Sequence, residues 1–447
     1  MTTRTLQTLH VRTFGCQMNA YDSARMEGLL RERLGLLPEE DPDLADVIVL
    51  NTCHIREKAE EKLFSELGRL HKSRRGRPVV MAVGGCVGQA QGSAIFRRAP
   101  FVDIVFGPQN YHRLPEMLTR ILAGESRVLD DASVAEDKFE SAPPVVAHQG
   151  VGQVTVQEGC DAFCTYCVVP FTRGREWSRP VAEVVAETER LVAHGAVEIH
   201  LLGQNVNAYN GPDEQGTPFD LGLLLRRVAL VDGVKRIRFV TSHPKQMDPS
   251  LVEALAEVPE VCPYLHLPIQ SGSDRILEAM GRGHTVADYL HWVETVRRAR
   301  PGVALASDFI VGFPGEDEAA FAETLALVER VGFDHAYSFK FSARPGTVAA
   351  SLPDQVPEPV KKERLERLQT RLNAIQWEKN RQRAGRIEEV LVEGMAPLGK
   401  GHLSGRTPCN RMVHFPGDAE WIGRTVRVAI LEGLPNSLRG RLEKEPP

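Results

Sequence analysis

Short apolar runs alternate with helical patterns through the first 125 residues of this chain, and three of those runs end beside a cysteine. "LHVRTFG", "DVIVLN", "PVVMAVG" and "FVDIVFG" read as strands, and the stretches near Met26–Leu34, Glu57–His71, Gln89–Arg98 and Leu114–Leu122 read as helices. Such alternation predicts a parallel sheet with right-handed crossovers, a Rossmann-like α/β domain over residues 1–125. Cys16, Cys53 and Cys86 stand 37 and 33 residues apart, about one strand plus one crossover helix, and each lies just past a predicted strand. Parallel strands carry those ends to one edge of the sheet, where open α/β sheets bind ligands. Singly, each thiol reads as a small buried residue; three in phase predict a shared metal site.

Residues 126–149 lose the periodicity and collect Asp, Glu, Ser, Ala and a Pro-Pro pair, which marks a linker. A second alternation follows, with strands "QVTVQEG", "VEIHLLGQ", "RIRFVTSH", "YLHLPIQS", "VALASDFIVG" and "HAYSFKFS". Six such units predict a partial TIM-like (β/α)6 barrel, short of the usual eight, whose strand ends carry the active face. Gln204, Asn205 and Gln270 are among the polar groups at those ends. Leu365, Leu368, Leu372 and Ile375 form one helical stripe, so residues 150–380 read as the barrel with a connecting helix. The short runs "EEVLVEG", "RMVHF" and "TVRVAIL" in residues 381–447 read as a small all-β barrel of OB style.

At 447 residues the chain is long enough for two or three cores. Its eight cysteines are too few for a disulfide scaffold, which favours metal or redox chemistry. The start has no signal-type apolar region and no run is long enough to span a bilayer, so a cytoplasmic protein with no membrane partner is expected. Net charge is −5, yet residues 381–447 hold eleven Lys and Arg against eight Asp and Glu, a local +3 suited to nucleic acid.

"GCDAFCTYC" places Cys160, Cys164 and Cys167 at the end of the first barrel strand. Three thiolates hold a four-iron cube with one iron open; the rival is zinc completed by His148, His200 or His243. Tyr166 stands in the CxYC step. "GCDAFCTYCVVPFTRGREWSR" resembles the signature of radical S-adenosylmethionine enzymes, and of their methylthiotransferase family in particular. The resemblance continues through "FGCQMNAYDS", "NTCHIREKAEEKLFSELGRL", "GGCVGQ", "LHLPIQSGS", "DFIVGFPGE" and "YSFKFSARPGT", and so covers nearly the whole chain. "NTC" followed by "IREKAE" most resembles the branch that methylthiolates isopentenylated tRNA adenosine, the MiaB type, and the tail looks like a TRAM RNA-binding domain. His54 and Phe171 depart from the family pattern without removing a ligand.

The resemblance implies two [4Fe-4S] clusters, one on Cys160, Cys164 and Cys167 whose open iron is chelated by S-adenosyl-L-methionine, and an auxiliary one on Cys16, Cys53 and Cys86 that handles sulfur. It places Tyr166 beside the cofactor adenine; Gln204, Asn205 and Gln270 are further candidates for cofactor contacts, and Arg173 and Arg175 for contacts to RNA or cofactor. The implied reaction adds a methylthio group to C2 of N6-isopentenyladenosine at tRNA position 37. One S-adenosylmethionine serves hydrogen abstraction and one methylation. An aromatic C–H is open to neither a side-chain base nor a nicotinamide, and cofactors carry such chemistry. A single-stranded anticodon loop makes extrusion of the base cheap. An electron donor such as a flavodoxin or ferredoxin and a sulfur donor are implied partners. The alternatives are methylthiolation of threonylcarbamoyl-adenosine or of a ribosomal-protein aspartate, against which "IREKAE" argues, and a non-enzymatic metal-stabilised RNA-binding protein. Removal of residues 381–447 is expected to weaken tRNA binding and leave both clusters intact.

Overall fold

The computed structural model describes residues 6–54, 57–74, 76–132, 139, 147–397, 399 and 401–443. Ile55 and Arg56 of "IREKAE", and most of the predicted linker, lie outside them. The chain forms two compact units. One gathers Met1–Val145 with Glu158–Asp161 and Cys167–Trp177; the other holds Val146–Gln157, Ala162–Tyr166 and Ser178–Pro447. The cysteine loop, expected wholly within the barrel domain, thus contributes to both. No helix among the described residues is long and apolar enough to cross a membrane.

In the first unit, strands β1 (Thr8–Phe14), β2 (Leu37–Pro38), β3 (Val47–Thr52), β4 (Val80–Gly85), β5 (Ile104–Phe106) and β6 (Val128–Asp130) form one sheet in the order β2-β1-β3-β4-β5-β6. Every pairing is parallel. Residues of β3 and β4 are buried throughout, as strands covered on both faces must be. β6 corrects the linker boundary: Val128 to Asp130 pair with Ile104 to Phe106, in a strand too short to show periodicity. Helix α1 (Gln17–Leu34) starts well before Met26, because its first turns bury Asn19, Asp22, Ser23 and Arg25 and so break the apolar pattern. The helix expected near Gln89–Arg98 is two, Cys86–Gln91 and Ala94–Arg98, separated at Gly92.

The six predicted barrel strands are present in the second unit, as Val151–Thr155, Glu198–Leu202, Arg236–Phe239, Tyr264–His266, Ala304–Val311 and His335–Lys340. They form two parallel three-stranded sheets. A single bridge, Ile237 to Val261, links the third strand to the run before the fourth. Alternation along each strand divides two faces. Ile199, Leu201, Ile237, Leu305 and Phe309 join helix residues such as Leu191, Leu224 and Leu251 in the main core. The opposite face carries Glu198, His200, Arg236, Arg238, His266, Asp308 and Tyr337. Leu368, Leu372 and Ile375 of the helix Glu358–Arg381 are buried in the same core, as the stripe predicts. Each such side chain contributes about 1.5–3 kcal/mol by leaving water.

The tail is a closed five-stranded barrel of Ile387–Met395, His402–Arg406, Met412–Pro416, Thr425–Gly433 and Leu438–Leu442. Its turn at residues 407–411 seats on the polar face of the larger barrel. Arg238 donates to the carbonyls of Thr407 (2.7 Å) and Pro408 (2.9 Å), and Arg236 to that of Arg406 (3.2 Å). Cys409 packs with Tyr264, Ala304 and Ala306, and Arg411, 2% exposed, pairs with Asp334 at 2.5 Å.

Candidate active site

Cys16, Cys53 and Cys86 follow β1, β3 and β4, three neighbouring strands, and the sheet order reverses between the first two. Ligands of open α/β sheets bind at that edge. Cys53 and Cys86 are buried and Cys16 is exposed. The backbone brings two of them close: Cys53 N–H donates to Phe14 O at 3.0 Å, and a Cβ on Gly15, whose φ is +131°, would stand 2.3 Å from Cys53 Cβ. Gly85, before Cys86, has φ +85° and would meet Asn51 Oδ1 at 2.4 Å. Only glycine lets the chain pass at these points.

Cys16 caps α1, where the helix dipole favours a thiolate. A hydrogen bond with Cys53 brings its thiol down to about 6, against the opposing effect of desolvation and with help from the Arg173 charge. Thiolate is the form that ligates iron, and the lowered Cys16 thiol supplies it at one of the three positions. Polar groups behind it are fixed: Asn51 donates to Asn19 O (2.9 Å) and Ser23 Oγ (3.0 Å), and Asn19 donates to Asn51 Oδ1 (3.1 Å). His54 is buried rather than on the surface, with Nδ1 3.7 Å from Glu60.

Arg173 is where sequence reasoning was furthest from the structure. It is 3% exposed and belongs to the first unit, where it pairs with Asp22 at 2.7 Å and Glu158 at 3.4 Å. Gln109 donates to the Glu158 carboxylate and to Arg173 O, both at 2.8 Å. Arg173 is therefore not a surface contact for RNA; its charge helps to lower the Cys16 thiol. Arg175 is exposed, its side chain 82% accessible, and hydrogen-bonds Asp161 at 2.8 Å.

Of the second trio, Cys160 and Cys167 fall in the first unit and Cys164 in the second. Cys160 N–H donates to Gly174 O. Cys164 is buried, and Arg282, 5% exposed, donates to its sulfur at 3.5 Å and to Pro268 O at 2.7 Å. Sequence reasoning missed Arg282, and no local pattern marks it. Tyr166 packs against Phe313 edge to face, with Ile310 in the same cluster. Asn205 is 2% exposed, and its backbone N–H donates to Gln157 Oε1 at 3.1 Å; Gln204 beside it is half-buried. Gln270 takes φ +78°, a strained conformation for a non-glycine residue, pinned by bonds to Asp308 O and Ile310 N–H at 2.9 Å each.

Among the described residues no three Cys, His, Asp or Glu side chains are gathered to hold a metal ion, the cysteine trios included. His200 meets Glu198 at 2.7 Å; His243 Nδ1 accepts from Lys245 N–H, and burial, aided by Arg282, lowers its pKa to about 2. His148 is bridged to Val151 through its backbone.

Three family descriptions match the chain: "Radical SAM superfamily" over residues 154–328, "Uncharacterized protein family UPF0004" over 8–107, and "TRAM domain" over 381–442. Among solved structures, the radical S-adenosylmethionine methyltransferase TsrM from Kitasatospora setae shares the fold, with TM-score 0.56 over 89% of this chain and 77% of that chain at 15% identity. Barrel, cysteine loop and family match define a radical S-adenosylmethionine enzyme with an added sheet domain and TRAM tail. Relatives named tRNA-2-methylthio-N(6)-dimethylallyladenosine synthase are 62% identical in Magnetococcus marinus, over 97% of this chain and 99% of the relative, and 51% identical in Alkalilimnicola ehrlichii, over 97% of each. The chain belongs to the family of tRNA-2-methylthio-N(6)-dimethylallyladenosine synthases.

Proposed function

We infer that this chain methylthiolates C2 of N6-dimethylallyladenosine in tRNA, at position 37 beside the anticodon. The observation that carries this reading is full-length identity of 62% to a relative bearing that name, joined to two intact cysteine trios. Cys160, Cys164 and Cys167 would hold the [4Fe-4S] cluster that binds S-adenosylmethionine, and Cys16, Cys53 and Cys86 the auxiliary one. Bound cluster and cofactor supply radical hydrogen abstraction and methyl transfer, which no side chain provides.

The protein's own part is placement. Gly15 and Gly85 let the backbone close on the auxiliary thiols, Arg173 neutralises charge beside them, and Arg282 steadies Cys164. Tyr166, Gln204, Asn205 and Gln270 are proposed to contact the cofactor, and Arg175 with the TRAM tail to contact RNA phosphates. A reductant of the flavodoxin or ferredoxin kind and a sulfur donor complete the set. The test is anaerobic reconstitution followed by nucleoside analysis of isopentenylated tRNA. Appearance of the 2-methylthio nucleoside is expected; its absence, with both clusters loaded and S-adenosylmethionine cleaved, would refute the assignment.

A further inference from the structure

On its face away from the helices, the second half of the barrel presents His266, Asp308 and Tyr337 from three successive strands. Asp308 interrupts an apolar strand, and Tyr337 is 52% exposed although both strand neighbours are half-buried. The three are organised. Thr241 N–H donates to His266 Nδ1 at 3.3 Å, so the ring proton sits on Nε2, which donates to Asp308 Oδ1 at 3.1 Å. Thr241 itself holds φ +71°, a costly conformation for a β-branched residue. The Tyr337 ring stands perpendicular to the His266 ring, centroids 6.3 Å apart.

The place has a floor and a rim. Towards the start of the strands, Tyr264, Ala304 and Ala306 are covered by Cys409. Towards their ends, Ile310, two residues beyond Asp308 on the same face, packs in the cluster that includes Tyr166 of the cysteine loop. A partly exposed carboxylate and aromatic ring thus lie one step below the cofactor loop.

We propose that this wall receives the substrate base: Tyr337 is its stacking surface, and Asp308, oriented by His266, accepts the N6–H of the prenylated adenine. The proposal rests on the function inferred above and names the residues that choose the base. A 6-amino purine offers a donor where a 6-oxo purine offers a carbonyl, and a carboxylate whose other oxygen is already engaged by a histidine N–H accepts the first and repels the second. Aromatic stacking adds affinity without regard to base identity.

The test is binding by full-length reconstituted enzyme, without reductant, of a labelled anticodon stem-loop carrying either N6-dimethylallyladenosine or inosine at the modified position. Wild type is expected to favour the adenine derivative. In Asp308→Asn the amide oxygen stays with His266 and turns N–H donors toward the base, so the preference should shrink at least tenfold. Tyr337→Ala should weaken both RNAs about tenfold while Tyr337→Phe binds as wild type. An unchanged preference in Asp308→Asn overturns the acceptor role, and wild-type binding by Tyr337→Ala overturns the stacking role. Should wild type with reductant make no methylthio product from the prenylated stem-loop, the function itself fails and the base assignment falls with it.

Discussion

Arg173 stands between two buried carboxylates with almost no water, and removing it takes one cation from beside Asp22 and Glu158. Arg173→Gln should therefore destabilise the first unit by about 3–5 kcal/mol, and Arg173→Lys by less, read as faster hydrogen exchange in α1 of the apoprotein. Glu198 gives a pH-dependent counterpart in the second unit. Burial opposes its charge, but the hydrogen bond from His200 and the charge of Arg238 prevail and hold it at about 2. A carboxylate so depressed stabilises the fold above its unfolded pKa of about 4.3 and loses that contribution as pH falls toward 2. The difference in unfolding free energy between wild type and Glu198→Gln should be roughly 3 kcal/mol at neutral pH and should shrink below about pH 4. Neither residue was legible beforehand. Arg173 meets Asp22 across 151 residues of sequence, so nothing local distinguishes it from the exposed Arg175 two places on. Asp308 did leave a trace, a single charge inside "VALASDFIVG", where a buried strand tolerates one only with a partner or a task.

At the scale of elements, the cysteine-bearing strands were the most legible part of the molecule, because strand-plus-crossover spacing fixes which ends share an edge. The same logic yields a separable phenotype. Replacing Cys16, Cys53 and Cys86 together by alanine leaves the thiols of the barrel loop untouched. That variant should still cleave S-adenosylmethionine to methionine and 5′-deoxyadenosine, lose about half its iron, and install no methylthio group, as measured by iron assay and chromatography of both products. Methylthiolated tRNA from a soluble triple variant would contradict the division of labour. Elements were missed where function displaced pattern. The first turns of α1 bury Asn19, Asp22 and Ser23 against the strand ends, and a helix that turns polar groups inward shows no apolar stripe.

Across the whole molecule, the tail is where sequence reading gave the right fold and an incomplete role. Short strands between Gly, Pro and Asn revealed a small barrel, and the positive balance pointed to RNA. Neither could reveal that the turn at residues 407–411 is built into the larger barrel. Deleting residues 381–447 uncovers Arg236, Arg238, Asp334 and the apolar contact of Cys409. Loss of RNA binding should therefore come with a lower melting temperature of the barrel, and a milder variant, Arg411→Met, should lower the melting temperature without changing the salt dependence of tRNA binding. The floor turn also sets a schedule for synthesis. The six barrel strands leave the ribosome well before the segment that closes them, so a nascent chain halted at the end of the connecting helix displays an unfinished, charged and aromatic interior. Until residues 407–411 have been translated, that surface is open to chaperones and to other chains.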